Sequence, residues 1–496
     1  MKNLFSLLAL MLCLTSIKAQ NYVTISDTSF VSWLQINIPN AMMGNQLDTT
    51  HIDVTGRRQI IIQNKHVASL DGIQYFDSLK TLNCSANVYD TINIKLTYLP
   101  SLPSMLDTLI CDGNKIDSLP QLPSGLVYLT CSQNSLDSLP ALPNTIKLLD
   151  CWGNQLTGLP TLPDSLQTFN CNGNQLSTLP ALPNGLATFT CSGNQLQSLP
   201  ALSDSLTTMN CSGNQLQSLP ALPSLLIYLD CSANQLTSLP ALPNSLVNLI
   251  CNSNLITSLP ALSNSLEFLD CSANQLSTLP SLPNSLNIIN CASNNINSLP
   301  TLPNALYKLI CSNNNALGTL PTLPNTLAIL YCDNDGLQGL PTLPNSLIEL
   351  NCSSNLIGSL PALPGALAIL DCHSNQLLIL PTLPNSLGSL NCAANQLTTL
   401  PALPANLYSL VCSSNSIVNL PTLPSSLGNL ICSSNQIVSL PILPVTLGAF
   451  DCSYNDIHCF DPFNNISLYF NISNNPFTCL PNYIPSMDST TLLYPL

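Results

Sequence analysis

Charge is what this sequence has least of. Of its 496 residues, ten are Lys or Arg and 24 are Asp or Glu, for a formal charge of −14, and Glu267 and Glu349 are the two glutamates. Long-helix and coiled-coil architectures need abundant Glu, Lys and Arg, so they are excluded. Ten cations give no electrostatic footprint for a phosphate backbone or an anionic lipid surface, which argues against nucleic-acid and peripheral membrane partners. At 45% hydrophobic the chain also lacks the composition of a disordered segment.

What is abundant is proline, with 40 residues, and cysteine, with 22. Thirty-four of the prolines fall in one recurring unit, from Pro100 and Pro103 to Pro441 and Pro444, with Ser203 and Ser263 twice in the second slot. Cysteine keeps the same 20-residue beat from Cys111 to Cys311, resumes at Cys332 after one inserted residue, and runs on to Cys452. A fixed period of this length signals stacked repeats. The unit from Ile146 to Pro163 gives the frame L-x-x-L-x-C-x-x-N-x-L-x-x-L-P-x-L-P.

This frame resembles the bacterial leucine-rich-repeat family, in its 20-residue subclass with L-P-x-L-P-x-x-L between strands. With Cys in the third strand position, it is similar to secreted bacterial surface proteins of that kind. The resemblance implies a solenoid that is α/β-type by family but mostly β here: a curved stack with a parallel concave sheet, a polyproline-II or 3₁₀ convex side, and almost no α-helix outside an N-terminal cap.

The residues support that reading independently. Leu149 and Cys151 alternate with Leu148 and Asp150, the period-two pattern of a strand with one buried face. Asn154 follows where the chain must turn, and its amide suits bonds to backbone groups of its own and the next turn. Leu159-Pro160-Thr161-Leu162-Pro163 cannot be helical, because proline removes donors and restricts the residue before it. One such unit buries too little to fold alone, so stability comes from neighbour interfaces and both ends need covering.

The chain therefore divides into a signal peptide at 1–19, an N-terminal cap at 20–56, about 20 repeats at 57–485, irregular at 87–100 and 312–336, and a tail at 486–496. Met1 to Ala19 carries Lys2 and an apolar run from Leu4 to Leu14, too short to span a bilayer, which points to a cleaved leader and an extracytoplasmic mature chain with no transmembrane segment. In the cap, Asp27 to Leu34 predicts a short capped helix with Phe30, Trp33 and Leu34 inward. The ladder cysteines read as buried thiols, since stacked side chains that point the same way fit a disulfide poorly. Cys459 and Cys479 stand apart, at equivalent places in the last two units, and form a candidate disulfide.

Function in such a scaffold is expected on the open strand face. The candidate ligand-binding residues there are Tyr128, Asp150, Trp152, Asn170, Tyr228, Asp230, Phe268, Asp270, Tyr331, Asn351, Asp371 and His373, an amide and carboxylate stripe beside aromatic platforms. Asp371, His373 and Ser353 are the one catalytic-looking set. In an extended strand Asp371 and His373 would lie about 7 Å apart, and no oxyanion donors accompany the serine, so no catalytic residue is assigned. Asp333-Asn334-Asp335-Gly336 resembles part of a calcium loop but lacks the later ligands, so a kink in the ladder is the expectation and neither metal nor cofactor is assigned. The reading is an exported, non-enzymatic, monomeric scaffold that presents its sheet to a protein or glycan at the bacterial surface. Its rivals are the recognition half of a ubiquitin-ligase-like effector without its catalytic domain, and a passive structural surface protein.

Overall fold

The computed structural model describes residues 21–86, 95–459 and 469–478. The predicted leader, Cys479 and the tail lie outside the described residues, as does most of the irregular stretch after residue 86. The chain forms two compact units, Met1–Gln235 and Leu236–Leu496.

The first unit begins with a cap. β1 (Tyr22–Thr24) and β2 (Met42–Met43) each pair antiparallel with β3 (Gln46–Asp48), and α1 (Thr28–Asn37) lies between β1 and β2 in the chain. Asp27 holds this cap in two directions. Its Oδ1 accepts the Phe30 N–H at 2.7 Å to start the helix, while Oδ2 accepts the N–H groups of Ala68 and Ser69 at 2.7 and 3.1 Å. Phe30 and Leu34 are fully buried. Trp33 departs from the expectation, being only half-buried. It stands about 60° round the helix from Phe30, and the Arg57 guanidinium, 5.5 Å from its ring centroid, holds it at the rim. Gly72, at φ 108°, passes so close to the Ile25 side chain that a Cβ there would collide with it.

Nine parallel strands follow in the first unit, from Gln59–Ile61 to Tyr228–Asp230, and the second unit contains twelve, from Asn248–Ile250 to Tyr469–Asn471. Each is three residues long and in register with its neighbours, so that Leu129, Leu149 and Phe169 align in one unit and Leu249, Leu269 and Ile289 in the other. Alternation then does the sorting. Leu149 and Cys151 are fully buried, while Leu148 and Asp150 face outward. Beyond Tyr75 no helix occurs among the described residues. The return path is extended, with one turn per repeat such as Leu166 N–H to Pro163 O at 3.1 Å, because the prolines have no further N–H to offer. The 21-residue repeat keeps the strand register, with Leu309 opposite Leu330. The extra residue is taken up in the turn where Leu317 N–H bonds Asn314 O at 2.8 Å.

The repeats are joined by their asparagines. Asn154 Nδ2 donates to Cys131 O and Cys151 O, both at 3.0 Å, and its Oδ1 accepts the Leu136 N–H at 3.1 Å. One side chain thus satisfies the turn of its own repeat and two backbone groups of the repeat before. The same set recurs at Asn174, Asn194 and Asn214 in the first unit and at Asn294, Asn375 and Asn455 in the second. To reach the slot, the residue before each Asn adopts left-handed backbone: Gly173 at φ 58° in the first unit, Ala394 at φ 51° in the second. Cys84 and the ladder from Cys111 to Cys452 are buried free thiols. Several donate to the next strand, as Cys151 Sγ does to Asn170 O at 3.4 Å. Burial pushes these thiols up, Cys84 and Cys352 to about 12, which keeps them protonated and unreactive.

Replacing Asn174 by Ala leaves the Leu156 N–H and one bond to each of Cys151 O and Cys171 O unmade, and the expected destabilisation is about 3 kcal/mol. A chemical-denaturation midpoint identical to that of the parent protein would contradict this role. Cys459 takes part in a disulfide. Non-reducing peptide mapping is expected to recover it joined to Cys479, and recovery of both as free thiols would dispose of that pairing.

Candidate binding face

The outward side of each strand, with the residue just past the Cys, makes three columns. In the first unit one column runs Tyr128, Leu148, Thr168, Thr188, Thr208, Tyr228, and the next Thr130, Asp150, Asn170, Thr190, Asn210, Asp230. Tyr128 and Tyr228 lie five strands apart in their column, about 24 Å at the usual strand spacing, so they are separate platforms. Asp150 and Asn170 are neighbours, and Trp152 stands beside them, 37% exposed. Burial raises the Asp150 pKa, and Asp112 adds to the effect. Tyr228 is likewise raised by burial, then by Asp230.

Much of the carboxylate and amide stripe is committed locally. Asp230 Oδ1 accepts the Ser232 N–H at 3.0 Å and its hydroxyl at 2.6 Å, and Asp270 does the same with Ser272. Asn351 holds Ser353 in this way and donates from Nδ2 to Asp333 Oδ1 at 3.1 Å. Each such oxygen caps the strand end as the chain turns, which explains why Ser so often follows the Cys. Among the described residues the second oxygen of Asp230 and Asp270 has no hydrogen-bond partner.

In the second unit Phe268, Ile288, Lys308, Ile329, Glu349 and Ile369 form one column, and Asp270, Asn290, Ile310, Tyr331, Asn351 and Asp371 the next. Tyr331, Asn351 and Asp371 are therefore consecutive neighbours, with Phe268 and Asp270 further along. His373 corrects the sequence-based estimate of about 7 Å from Asp371. The strand ends at Asp371, the chain turns, and the imidazole folds back so that Nδ1 is 2.6 Å from Oδ1, while the His373 N–H bonds the same oxygen at 3.2 Å. Asn391 Nδ2 completes the cluster at 3.2 Å from Asp371 Oδ2. The Ser353 hydroxyl is not aimed at this pair, since it donates to Asn351 Oδ1 at 2.7 Å.

Two residues of this face escaped the sequence reading. Asp112 accepts the hydroxyls of Thr130 and Ser132 at 2.8 and 2.7 Å, in a column where serine is the rule. Lys308 is the other, and its signal was available: it is the sole Lys or Arg after Lys147.

Asp333 and Asp335 do not converge as calcium ligands. Asp333 faces outward and takes the Ser312 hydroxyl at 2.5 Å, whereas Asp335 is fully buried in the slot that asparagine fills elsewhere. Its Oδ1 accepts the Asn314 N–H at 2.7 Å and its Oδ2 lies 3.4 Å from Cys311 Sγ. Burial lifts this carboxyl from an ordinary 3.8 to about 7. Among the described residues no group of three or more His, Cys, Asp and Glu side chains is placed to hold a metal, and no helix is long and apolar enough to cross a membrane.

No family model matches the chain, and no curated protein matches it. Solved structures do. YopM from Yersinia enterocolitica WA-314 is 35% identical, with 86% of this chain and 95% of that one covered and a TM-score of 0.81. YopM from Yersinia pestis, described as a leucine-rich effector protein, is 31% identical over 74% of this chain and 96% of that one, with a TM-score of 0.50.

Because the folded-state pKa of Asp335 is raised, the native protein holds a proton that the unfolded chain releases near pH 3.8. Stability from this group is expected to fall as pH rises from about 4 to about 7 and to stay low above that, by a few kcal/mol at most. Asp335→Asn should raise the melting temperature at pH 8 and flatten its pH dependence; a variant that melts lower than the parent at pH 8 would refute the account.

Proposed function

This chain belongs to the bacterial leucine-rich-repeat family, and from that premise we propose that it is an exported, non-enzymatic scaffold whose outward strand faces recognise a protein or a glycan. The observation that carries this reading is a contrast within the repeat. Buried positions repeat almost unchanged as Leu, Cys and Asn, while the outward columns vary through Tyr, Trp, Phe, Asp, Asn, Lys and His. Packing needs only the first set. The second presents aromatic platforms beside carboxylates with one oxygen uncommitted, chemistry suited to burying a flat apolar surface and fixing its orientation by hydrogen bonds. Export is supported by Lys2 and the apolar run from Leu4 to Leu14. His373 and Asp371 are engaged with each other and with Asn391, and among the described residues no nucleophile is directed at them, which favours recognition over turnover.

The test is binding by residues 20–496 to arrayed glycans and to surface proteins, compared with a Tyr228→Ala, Asp230→Ala double variant. Loss of about tenfold or more in affinity without a change in melting temperature is the expected result. Absence of any saturable binding would sink the proposal, and light scattering across concentrations separates self-association from a monomeric receptor.

A further inference from the structure

Lys308 is the one Lys or Arg in the whole of the second unit. It does not sit at a turn or on the return path. It occupies the middle of the outward face, between Ile288 and Ile329 in its own column and with Ile310 two residues along its strand. Its ammonium lies 5.3 Å from the Tyr331 ring centroid and, among the described residues, makes no hydrogen bond or ion pair. The ring is fixed from its far side, where the Tyr331 hydroxyl donates to Glu349 Oε1 at 2.7 Å. Burial and Glu349 push the phenol up to about 12, so it remains neutral beneath the cation.

This surround is unusual for a solubilising lysine. Three isoleucines and an aromatic ring lower the local polarity, which strengthens any ion pair formed over them, and no carboxylate among the described residues is bonded to the ammonium. Glu349, in the same column two strands away, is engaged by Tyr331. A cation positioned with no counter-ion among the described residues, in an otherwise anionic and apolar face, selects for a single negative group with apolar neighbours.

We infer that Lys308, with Ile288, Ile310, Ile329 and Tyr331, is the anchor for an acidic side chain of an extended segment in a partner protein, flanked by apolar residues two positions away on both sides. An extended segment lying across the strands places residues i−2, i and i+2 on one face about 6.8 Å apart, so the acid meets Lys308 while its apolar neighbours cover Ile288 and Ile329. A free C-terminal carboxylate would cover the isoleucines on one side only. The inference rests on the proposed recognition function and names the partner chemistry for this part of the face.

Random 12-residue peptides displayed on phage, panned on residues 20–496, provide the probe. The enriched pool is expected to carry Asp or Glu with apolar residues at ±2. Enriched peptides, synthesised with blocked ends, should bind Lys308→Met at least about tenfold more weakly and Lys308→Arg within about threefold, and their Asp→Asn or Glu→Gln versions should lose about as much. A pool without acidic residues, affinities indifferent to Lys308→Met, or tighter binding by peptides whose sole carboxylate is a free C-terminus would each overturn the assignment. Should binding instead be abolished by the Tyr228→Ala, Asp230→Ala variant and untouched by Lys308→Met, the recognition function stands and this anchor falls. Enrichment of nothing at all defeats both. Lys308 is half-exposed, and a melting curve for each variant confirms that the fold is retained.

Discussion

The side-chain amide of the ladder asparagine is the interaction on which the rest of the structure depends. A three-residue strand brings few ladder bonds of its own, and the proline-rich return path brings almost none. The turn between them must nevertheless run through the interior, where unpaired backbone groups are costly. Asn is the residue that solves this, since one amide supplies two donors and an acceptor in a plane. Asn174 reaches Cys151 O, Cys171 O and Leu156 N, so its turn is closed by the side chain of its own repeat and braces the one before. Asp335 shows what happens without the donors: the carboxylate takes another N–H, and its burial is balanced by a shift toward protonation.

With the interior handled so uniformly, the outward columns carry nearly all the individuality of the chain. Part of it is spoken for locally, because oxygens such as those of Asp230 and Asp270 cap their own strand ends through the following serine. The remainder differs between the units. The first offers Tyr128, Trp152 and Tyr228 around a hydroxyl-rich middle of Thr168, Thr188 and Thr208, while the second brings together Lys308, Tyr331, Glu349, Asp371 and His373.

Sequence reading reached the fold because the fold is periodic: the strand alternation, the buried thiols and the role of Asn154 all follow from one 20-residue frame. It fared less well wherever position depends on something outside that frame. Helical spacing points Trp33 inward, but the cation that draws it to the rim, Arg57, belongs to a separate stretch of chain. Strand periodicity alone puts His373 about 7 Å beyond Asp371, whereas the turn begins there and folds the imidazole back. Lys308 is a different case. Nothing in the 20-residue frame marks its position, and only its distance from the preceding cation, Lys147, sets it apart.

The inserted residue between Cys311 and Cys332 shows where this architecture tolerates error. Counting along the chain, everything after it is displaced by one, and in a conventional strand such a slip would turn every side chain to the wrong face. Here Leu309 still meets Leu330 and Tyr331 still meets Ile310, because the surplus is absorbed in a single turn. Each repeat finds its place from the one beside it, by contact and not by count. A chain assembled this way can gain or lose residues in its turns and leave its face intact, so its outward surface can lengthen or diversify without the core being redesigned.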